Sequence, residues 1–169
     1  MTISRSGQWA WGGSKDGVKP FAACLEMLVR CAGGDGNLLL NVGPMPTGQI
    51  APKQADRLKE LGAWLAKYGQ SIYGTRGGPF KPGPYGASTR KGKTIFLHLW
   101  NWSKGSLKLP PIRAKVVHSR VLTGGQAEVQ QTPAGLEISL PPGDRQPLDT
   151  VIALELDRPA LDLSAVETK

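Results

Sequence analysis

The sequence contains little cysteine and no long apolar run. Its 169 residues include two cysteines, Cys24 and Cys31. In a predicted helix their positions lie about 10 Å apart, whereas a disulfide needs Cα atoms within about 7 Å. No apolar run approaches the ~20 residues that cross a bilayer, and the first residues lack the apolar core of a signal peptide. We therefore expect two free thiols, no membrane partner and no export signal in these residues.

The sequence also lacks the motifs of the common catalytic and metal centres. His98 and His118 are its two histidines, and neither belongs to an HExxH or Cys/His pattern, so we expect no metal ion and no cofactor. No G-x-S-x-G elbow is present, which argues against a serine triad. Asp16 and Asp35 are the acids in loops near the candidate site, and we expect Asp16 to cap the first helix and Asp35 to serve a turn. The residues therefore predict no catalytic pair of carboxylates.

The formal net charge of +8 raises the question of nucleic-acid binding. The basic residues are spread through every segment, and the densest group, residues 90–93, is predicted to be a hairpin tip. Because nucleic-acid binding requires clustered Lys and Arg, we expect no nucleic-acid partner. A composition of 40% hydrophobic and 20% charged residues is typical of a globular protein.

The first 74 residues predict one buried strand between two helices. Residues 1–18 are predicted to be a loop, a helix begins after Pro20 and ends at residues 33–34, a strand follows at 37–42, and a second helix covers 52–68. The apolar run inside the strand lacks polar alternation, which is typical of a strand covered on both faces. One strand cannot form a sheet. We therefore expect self-association through this strand, or the helices folding down to cover it.

Residues 75–158 predict a small antiparallel β domain, followed by a frayed tail at 159–169. Residues 93–102 are apolar on both faces and are predicted to form a central strand. Gly124 and Gly125 indicate a hairpin between residues 114–123 and 127–131. Apolar residues alternate with polar ones at 136–140 and at 152–156, as in half-buried strands.

Three residues are candidates for ligand binding. Asn41 closes the predicted strand ahead of Gly43, so its amide is expected either to enter a pocket or to bond the turn backbone. Trp9 and Trp11 stand in a loop, where their indole rings suit a sugar-binding wall, while packing between segments is the alternative.

The order of motifs resembles one enzyme family. "GGDGNLLLNVGPMPTGQI" followed by "RLKELGAWLAKYGQSIYGTRGGPF" is similar to the end of the catalytic domain of α-L-fucosidases, the family 29 glycoside hydrolases, and "MTISRSGQWAW" resembles an earlier segment of that domain. The resemblance implies an α+β chain, with the last βα portion of a TIM-type (β/α) barrel at 1–74 and an antiparallel β-sandwich at 75–158. It implies retaining hydrolysis of terminal α-L-fucose from fucosylated glycans, by proteins that are secreted, periplasmic or lysosomal.

The resemblance also implies that the catalytic residues are missing. In this family an aspartate nucleophile and a glutamate acid/base lie upstream of the motifs quoted, so no residue of this chain is expected to be catalytic. Trp9, Trp11 and Asn41 would then line the sugar pocket. The sequence leaves two functions open, which are a truncated α-L-fucosidase that needs a complementing barrel polypeptide and a noncatalytic carbohydrate-binding or assembly module built on the β-sandwich.

Overall fold

A computed structural model describes residues 1–102 and 105–168 of an α+β fold. Ser103, Lys104 and Lys169, the last of which ends the predicted tail, lie outside the described residues. The helices are α1 (Phe21–Gly33) and α2 (Pro52–Tyr68). The strands are β1 (Arg76–Gly77), β2 (Gly86–Lys91), β3 (Thr94–Leu99), β4 (Leu107–Leu109), β5 (Val116–Val121), β6 (Glu128–Thr132), β7 (Gly135–Ser139) and β8 (Thr150–Leu156). The predicted fold class, α+β, is confirmed.

Both predicted helices form where the apolar spacing placed them. Pro20 precedes α1 in an extended conformation and Pro52 opens α2, because the fixed φ of proline suits the start of a helix. Gly34 ends α1 by donating its N–H to the carbonyl of Arg30. Cys24 is buried in α1, and both cysteines are free, as the spacing predicted. Among the described residues, no helix is long and apolar enough to cross a membrane.

The predicted strand at 37–42 is not formed as a regular strand. Within the described part of the chain, Asn41 alone of this segment pairs, in a single parallel bridge with Thr2. Asn41 accepts a bond from the N–H of Ile3 and donates its own N–H to the carbonyl of Met1, each at 2.9 Å. We call residues 1–4 and 39–41 the parallel pair. A parallel strand needs neighbours on both sides, and residues 1–4, which the sequence predicted to be loop, pair with one side of this segment.

Two antiparallel sheets enclose the main apolar core. The five-stranded sheet has the order β1-β2-β3-β8-β5, and the three-stranded sheet has the order β4-β7-β6. The predicted central position of residues 93–102 is confirmed, since β3 lies between β2 and β8. The predicted alternations are confirmed as well, because the apolar side chains of β7 and β8 point into the core. Its largest fully buried side chains include Phe80, Ile95, Leu97, Leu99, Leu136, Ile138, Ile152, Leu154 and Leu156.

The predicted hairpin between residues 114–123 and 127–131 is wrong. β5 pairs with β8 in the five-stranded sheet, whereas β6 pairs with β7 in the three-stranded sheet. Gly124 and Gly125, with φ of 98° and 86°, carry the chain from one sheet to the other. The local turn signal was correct, but burial of apolar side chains from both sheets in one core decided the partners.

The segment after Arg158 is packed rather than frayed, so this prediction is also wrong. Ala160 and Leu163 are buried in the main core. The guanidinium of Arg90 donates to both of their carbonyls, at 2.9 and 2.6 Å. Val166 donates its N–H to the carbonyl of Pro79 at 2.6 Å. Arg90 therefore clamps the segment by satisfying carbonyls that lie far along the chain.

The helices pack on the outer face of the five-stranded sheet. A second cluster of buried residues, here called the interface cluster, joins them to β2 and β8; it comprises Leu25, Val29, Leu61, Trp64, Ala87 and Val151. The close fit has little room to spare, because a Cβ on Gly33 would lie 2.8 Å from the Cβ of Ala87. The sheet thus separates two apolar layers, one against the three-stranded sheet and one against the helices.

Candidate functional site

Trp9 and Asn41 are brought together although 32 residues separate them. The amide Nδ2 of Asn41 donates to the carbonyl of Trp9 at 2.6 Å. The hydroxyl of Thr2 donates to the carbonyl of Gln8 at 2.9 Å, so the parallel pair holds the loop at two successive carbonyls. Trp9 is 60% exposed and Trp11 is half-buried. Asn41 therefore bonds backbone, as one of the two expectations stated, but it bonds the tryptophan loop and not its own turn.

Gly43 sets the distance between the end of the parallel pair and the loop. A Cβ at this position would lie 2.6 Å from the backbone nitrogen of Trp11 and 2.7 Å from the carbonyl carbon of Ala10. No side chain fits in that space. The N–H of Gly43 donates to the buried side-chain oxygen of Gln54, at 3.2 Å, in the first turn of α2. The helix thus fixes Gly43, and Gly43 fixes the position of Trp11.

Sequence reasoning missed Gln54 as a supporting residue, although a signal was present. It lies two turns before Leu61 on the buried face of α2, yet it is polar and only 5% exposed. A polar side chain in a buried stripe requires a hydrogen-bond partner, because burying it unpaired is costly. The partner of Gln54 is the backbone N–H of Gly43.

Asp16 does not cap α1, which corrects the expectation from the sequence. The residue before the helix is Pro20, and no side chain of the described residues caps the helix. Asp16 instead accepts hydrogen bonds from the hydroxyl of Ser4, at 2.6 Å, and from the N–H of Ser6, at 3.4 Å. The bond from Ser4 lowers the pKa of the Asp16 carboxyl. Asp16 therefore stabilises the turn that follows the first strand of the parallel pair.

Asp35 occupies a turn, as expected, but it also has a role that the sequence did not predict. It has a left-handed backbone conformation, with φ of 64°. Its carboxylate binds Arg76 in a bidentate manner, at 2.8 and 2.6 Å, and accepts the N–H of Gly77 at 2.8 Å. These bonds, those from Arg76 first, hold the pKa of Asp35 well below its usual range. The end of α1 is thereby tied to β1.

A buried pair of side chains lies away from the candidate residues, under α2. His98 Nδ1 lies 2.8 Å from Asp149 Oδ2, and both residues are almost fully buried. Trp64 covers His98, with ring centroids 6.1 Å apart. In the described part of the chain, the second nitrogen of His98 and the second oxygen of Asp149 have no partner. The pair spans β3 and the turn before β8, so it belongs to the packing of helix on sheet.

The chemistry available around Trp9, Trp11 and Asn41 is that of binding. Indole rings offer flat apolar faces with a polar N–H edge, which suits sugar rings, and an amide does not titrate and cannot transfer a proton as an acid. No group of three or more His, Cys, Asp or Glu side chains within residues 1–102 and 105–168 could hold a metal ion.

Comparison with known proteins identifies relatives of this chain. Residues 1–70 match the family model described as alpha-L-fucosidase. The tissue alpha-L-fucosidase of Mus musculus is 32% identical over 101 residues, which cover 57% of this chain and 20% of the mouse protein. The plasma alpha-L-fucosidase of Homo sapiens is 34% identical over 79 residues, which cover 44% of this chain and 16% of the human protein.

A solved structure extends the likeness to nearly the whole fold. Alpha-L-fucosidase isoenzyme 1 from Paenibacillus thiaminolyticus superposes with a TM-score of 0.81 at 29% identity, covering 93% of this chain and 39% of that one. The predicted resemblance to α-L-fucosidases is therefore confirmed. The chain spans about a fifth of the length of the curated relatives and about two fifths of that solved structure.

Proposed function

Because this chain is related to part of the α-L-fucosidases, we propose that it contributes to the retaining hydrolysis of terminal α-L-fucose from fucosylated glycans. One observation carries this proposal. The side chain of Asn41 holds the Trp9 loop within the residues that match the family. The proposal is supported by two indole rings and a fixed amide beside the end of the parallel pair, because active sites of (β/α) barrels lie at the C-terminal ends of their strands.

In the proposed division of labour this chain binds the sugar and does not transfer protons. Trp9 and Trp11 present apolar surface to the sugar ring, while Asn41 keeps the loop in place. A retaining glycosidase needs two carboxyl groups about 5 Å apart across the scissile bond. Asp16 is the acidic residue closest in sequence to Trp11, and its carboxylate accepts hydrogen bonds from Ser4 and Ser6. In this proposal the nucleophile and the acid/base are supplied from outside these 169 residues.

The finer architecture is part of the proposal. Residues 1–74 would be the last βα portion of a (β/α) barrel, and residues 75–158 a β-sandwich domain. The parallel pairing of Thr2 with Asn41 supports the first assignment, since parallel neighbours joined through a helix are the unit from which such barrels are built. The separate core of the two sheets supports the second.

The free side of the parallel pair suits a complementing barrel polypeptide. Leu39 is 66% exposed and Met1 is 55% exposed. Burying a Leu side chain contributes about 1.5–3 kcal/mol, so adding a neighbouring strand would recover much of that amount at Leu39 alone. Self-association through the same edge is the alternative, and analytical ultracentrifugation of the purified chain separates the two, since only self-association gives a dimer without a partner.

Two measurements test the function. With an aryl α-L-fucoside the chain alone should give no turnover above buffer, while L-fucose should perturb the indole NMR signals of Trp9 and Trp11. Trp9→Ala should weaken this binding, and Val117→Ala, which removes an exposed apolar side chain on β5, should not. Turnover abolished by a single carboxylate substitution would contradict the division of labour. Fucose binding that is unchanged in Trp9→Ala would contradict the site.

A second candidate function is a noncatalytic carbohydrate-binding or assembly module on residues 75–158. It is favoured by the main core, which is closed by the two sheets without help from the helices. Calorimetry with fucosylated oligosaccharides distinguishes this module from the proposed contribution to fucose hydrolysis. This candidate expects heat of binding that Trp9→Ala leaves unchanged, whereas the first expects that heat to fall.

A further inference from the structure

A groove lies beside Asn37, which precedes Asn41 by four residues in the segment that joins α1 to α2. It runs between the C-terminal end of α1 and residues 72–76, and it has a volume of about 570 Å³. Leu28, Ala32 and Leu38 form apolar wall, and Asn37 and Thr75 add polar groups. Asn37 and Asn41 are four residues apart, a length of chain that spans at most about 14 Å.

Tyr73 provides a fixed aromatic surface in this groove. Its side chain is 60% exposed. One edge of the ring packs on Gly69, where a Cβ would lie 2.8 Å from the ring carbon Cε2. The backbone is held as well, because the Tyr73 N–H donates to the carbonyl of Gly69 at 2.7 Å and its carbonyl accepts from Lys91 Nζ at 3.2 Å. The contact with Gly69 therefore positions one edge of the ring, and the rest of the ring is exposed to solvent.

The groove is also lined by the ion pair of Asp35 and Arg76, whose charges neutralise each other. Asp35 occupies the Nε and Nη2 groups of Arg76, which leaves Nη1 with hydrogens to donate. In the described part of the chain the Asn37 side chain has no hydrogen-bond partner, so its amide can both donate and accept. An anionic ligand would meet the Asp35 carboxylate beside the guanidinium. The electrostatics therefore favour a neutral ligand rich in hydroxyl groups.

We propose that this groove is a second glycan-binding site, which takes a neutral di- or trisaccharide by placing one sugar ring on Tyr73 and its hydroxyls on Asn37 and Arg76. Its volume falls within the roughly 300–1,000 Å³ of small-ligand sites, and an aromatic ring with polar neighbours is what a sugar requires. The choice of ligand class rests on the proposed function. The site itself is separate from Trp9, Trp11 and Asn41, and it would hold a glycan that need not carry fucose.

NMR titration of the ¹⁵N-labelled chain tests the proposal, with lactose and L-fucose as separate probes. Lactose should shift the amide signals of Gly36, Gly74 and Thr75 and leave that of Gly43 unchanged. Tyr73→Ala should weaken lactose binding by about two- to tenfold, the range expected for one aromatic contact, whereas Tyr73→Phe should keep it. Unchanged signals for the rest of the chain establish that each variant is folded.

The outcomes separate this inference from the proposed function. Lactose binding that is equal in Tyr73→Ala and in the unmodified chain would overturn the second site, as would the absence of shifts at Gly36 and Gly74. Shifts in those signals that grow with protein concentration in the absence of sugar would assign the groove to a second copy of the chain and overturn it too. Fucose shifting only the Trp9 and Trp11 signals, with no lactose binding, would leave the proposed function standing alone.

Discussion

Removal of one member of the buried His98–Asp149 pair is expected to destabilise the fold strongly. The two atoms that bond lie 2.8 Å apart, and the side chains are 0% and 1% exposed. His98→Leu leaves the Asp149 carboxyl without this partner beneath Trp64, and breaking a buried pair in this way costs about 3–5 kcal/mol. For a domain of this size each kcal/mol lowers the melting temperature by about 2–4 °C, so a decrease of roughly 6–20 °C is expected.

Urea and thermal unfolding of four proteins measure this effect: the unmodified chain, His98→Leu, Asp149→Leu and the double variant. Since the cost of each single change comes largely from the group left unpaired, the double variant should lose less stability than the sum of the two. Asp56→Asn, which removes an exposed ion pair with Lys59, is the control and should leave the midpoint nearly unchanged. A His98→Leu protein within about 0.5 kcal/mol of the unmodified chain would refute the reasoning.

Two further substitutions test the supports of the candidate site and of the groove. Gly43→Ala should lower the free energy of unfolding by about 1–3 kcal/mol and alter tryptophan fluorescence, because the added Cβ meets the backbone of Trp11. The control is Gly62→Ala, in open space on α2, which should raise the free energy of unfolding by about 0.4–1 kcal/mol in the same melts. Asp35→Asn tolerates the left-handed turn but loses the charge that binds Arg76, and its melting temperature should be lower than that of the unmodified chain at neutral pH. Because the pKa of Asp35 is lower in the folded state than the unfolded value of about 3.9, this difference should shrink as the pH falls below about 4, and a difference independent of pH would contradict the assignment.

The sequence predicted those parts of the fold that depend on local periodicity. The bounds of α2 follow from Pro52 and an apolar stripe, and β3 follows from a run that is apolar on both faces. The hairpin prediction failed because a turn signal at Gly124 and Gly125 does not specify which sheet the next strand joins. The prediction of a frayed tail was wrong because Arg90, which donates to the carbonyls of that segment, lies some 70 residues away in the sequence.

For the candidate site as well, local patterns could be predicted from the sequence and contacts between distant residues could not. Trp9 and Asn41 could be named as candidates from the sequence, because an indole ring in a loop suits a sugar and Asn41 closes the predicted strand. Their hydrogen bond could not be predicted, because it depends on residues 1–4 lying parallel to residues 39–41. The pairing of His98 with Asp149 was missed for a related reason, since 51 residues separate them.

The position of β8 has a consequence for how the chain is made. It lies between β3 and β5 in the five-stranded sheet, and among residues 1–102 and 105–168 β5 has no other strand partner there. Its residue Val151 also contributes to the interface cluster on which both helices rest. A nascent chain therefore cannot complete either apolar layer until residues 150–156 have left the ribosome. Until then the exposed apolar strands require protection from aggregation, and a chain terminated before residue 150 should be a substrate for chaperones and proteases and not a smaller stable protein.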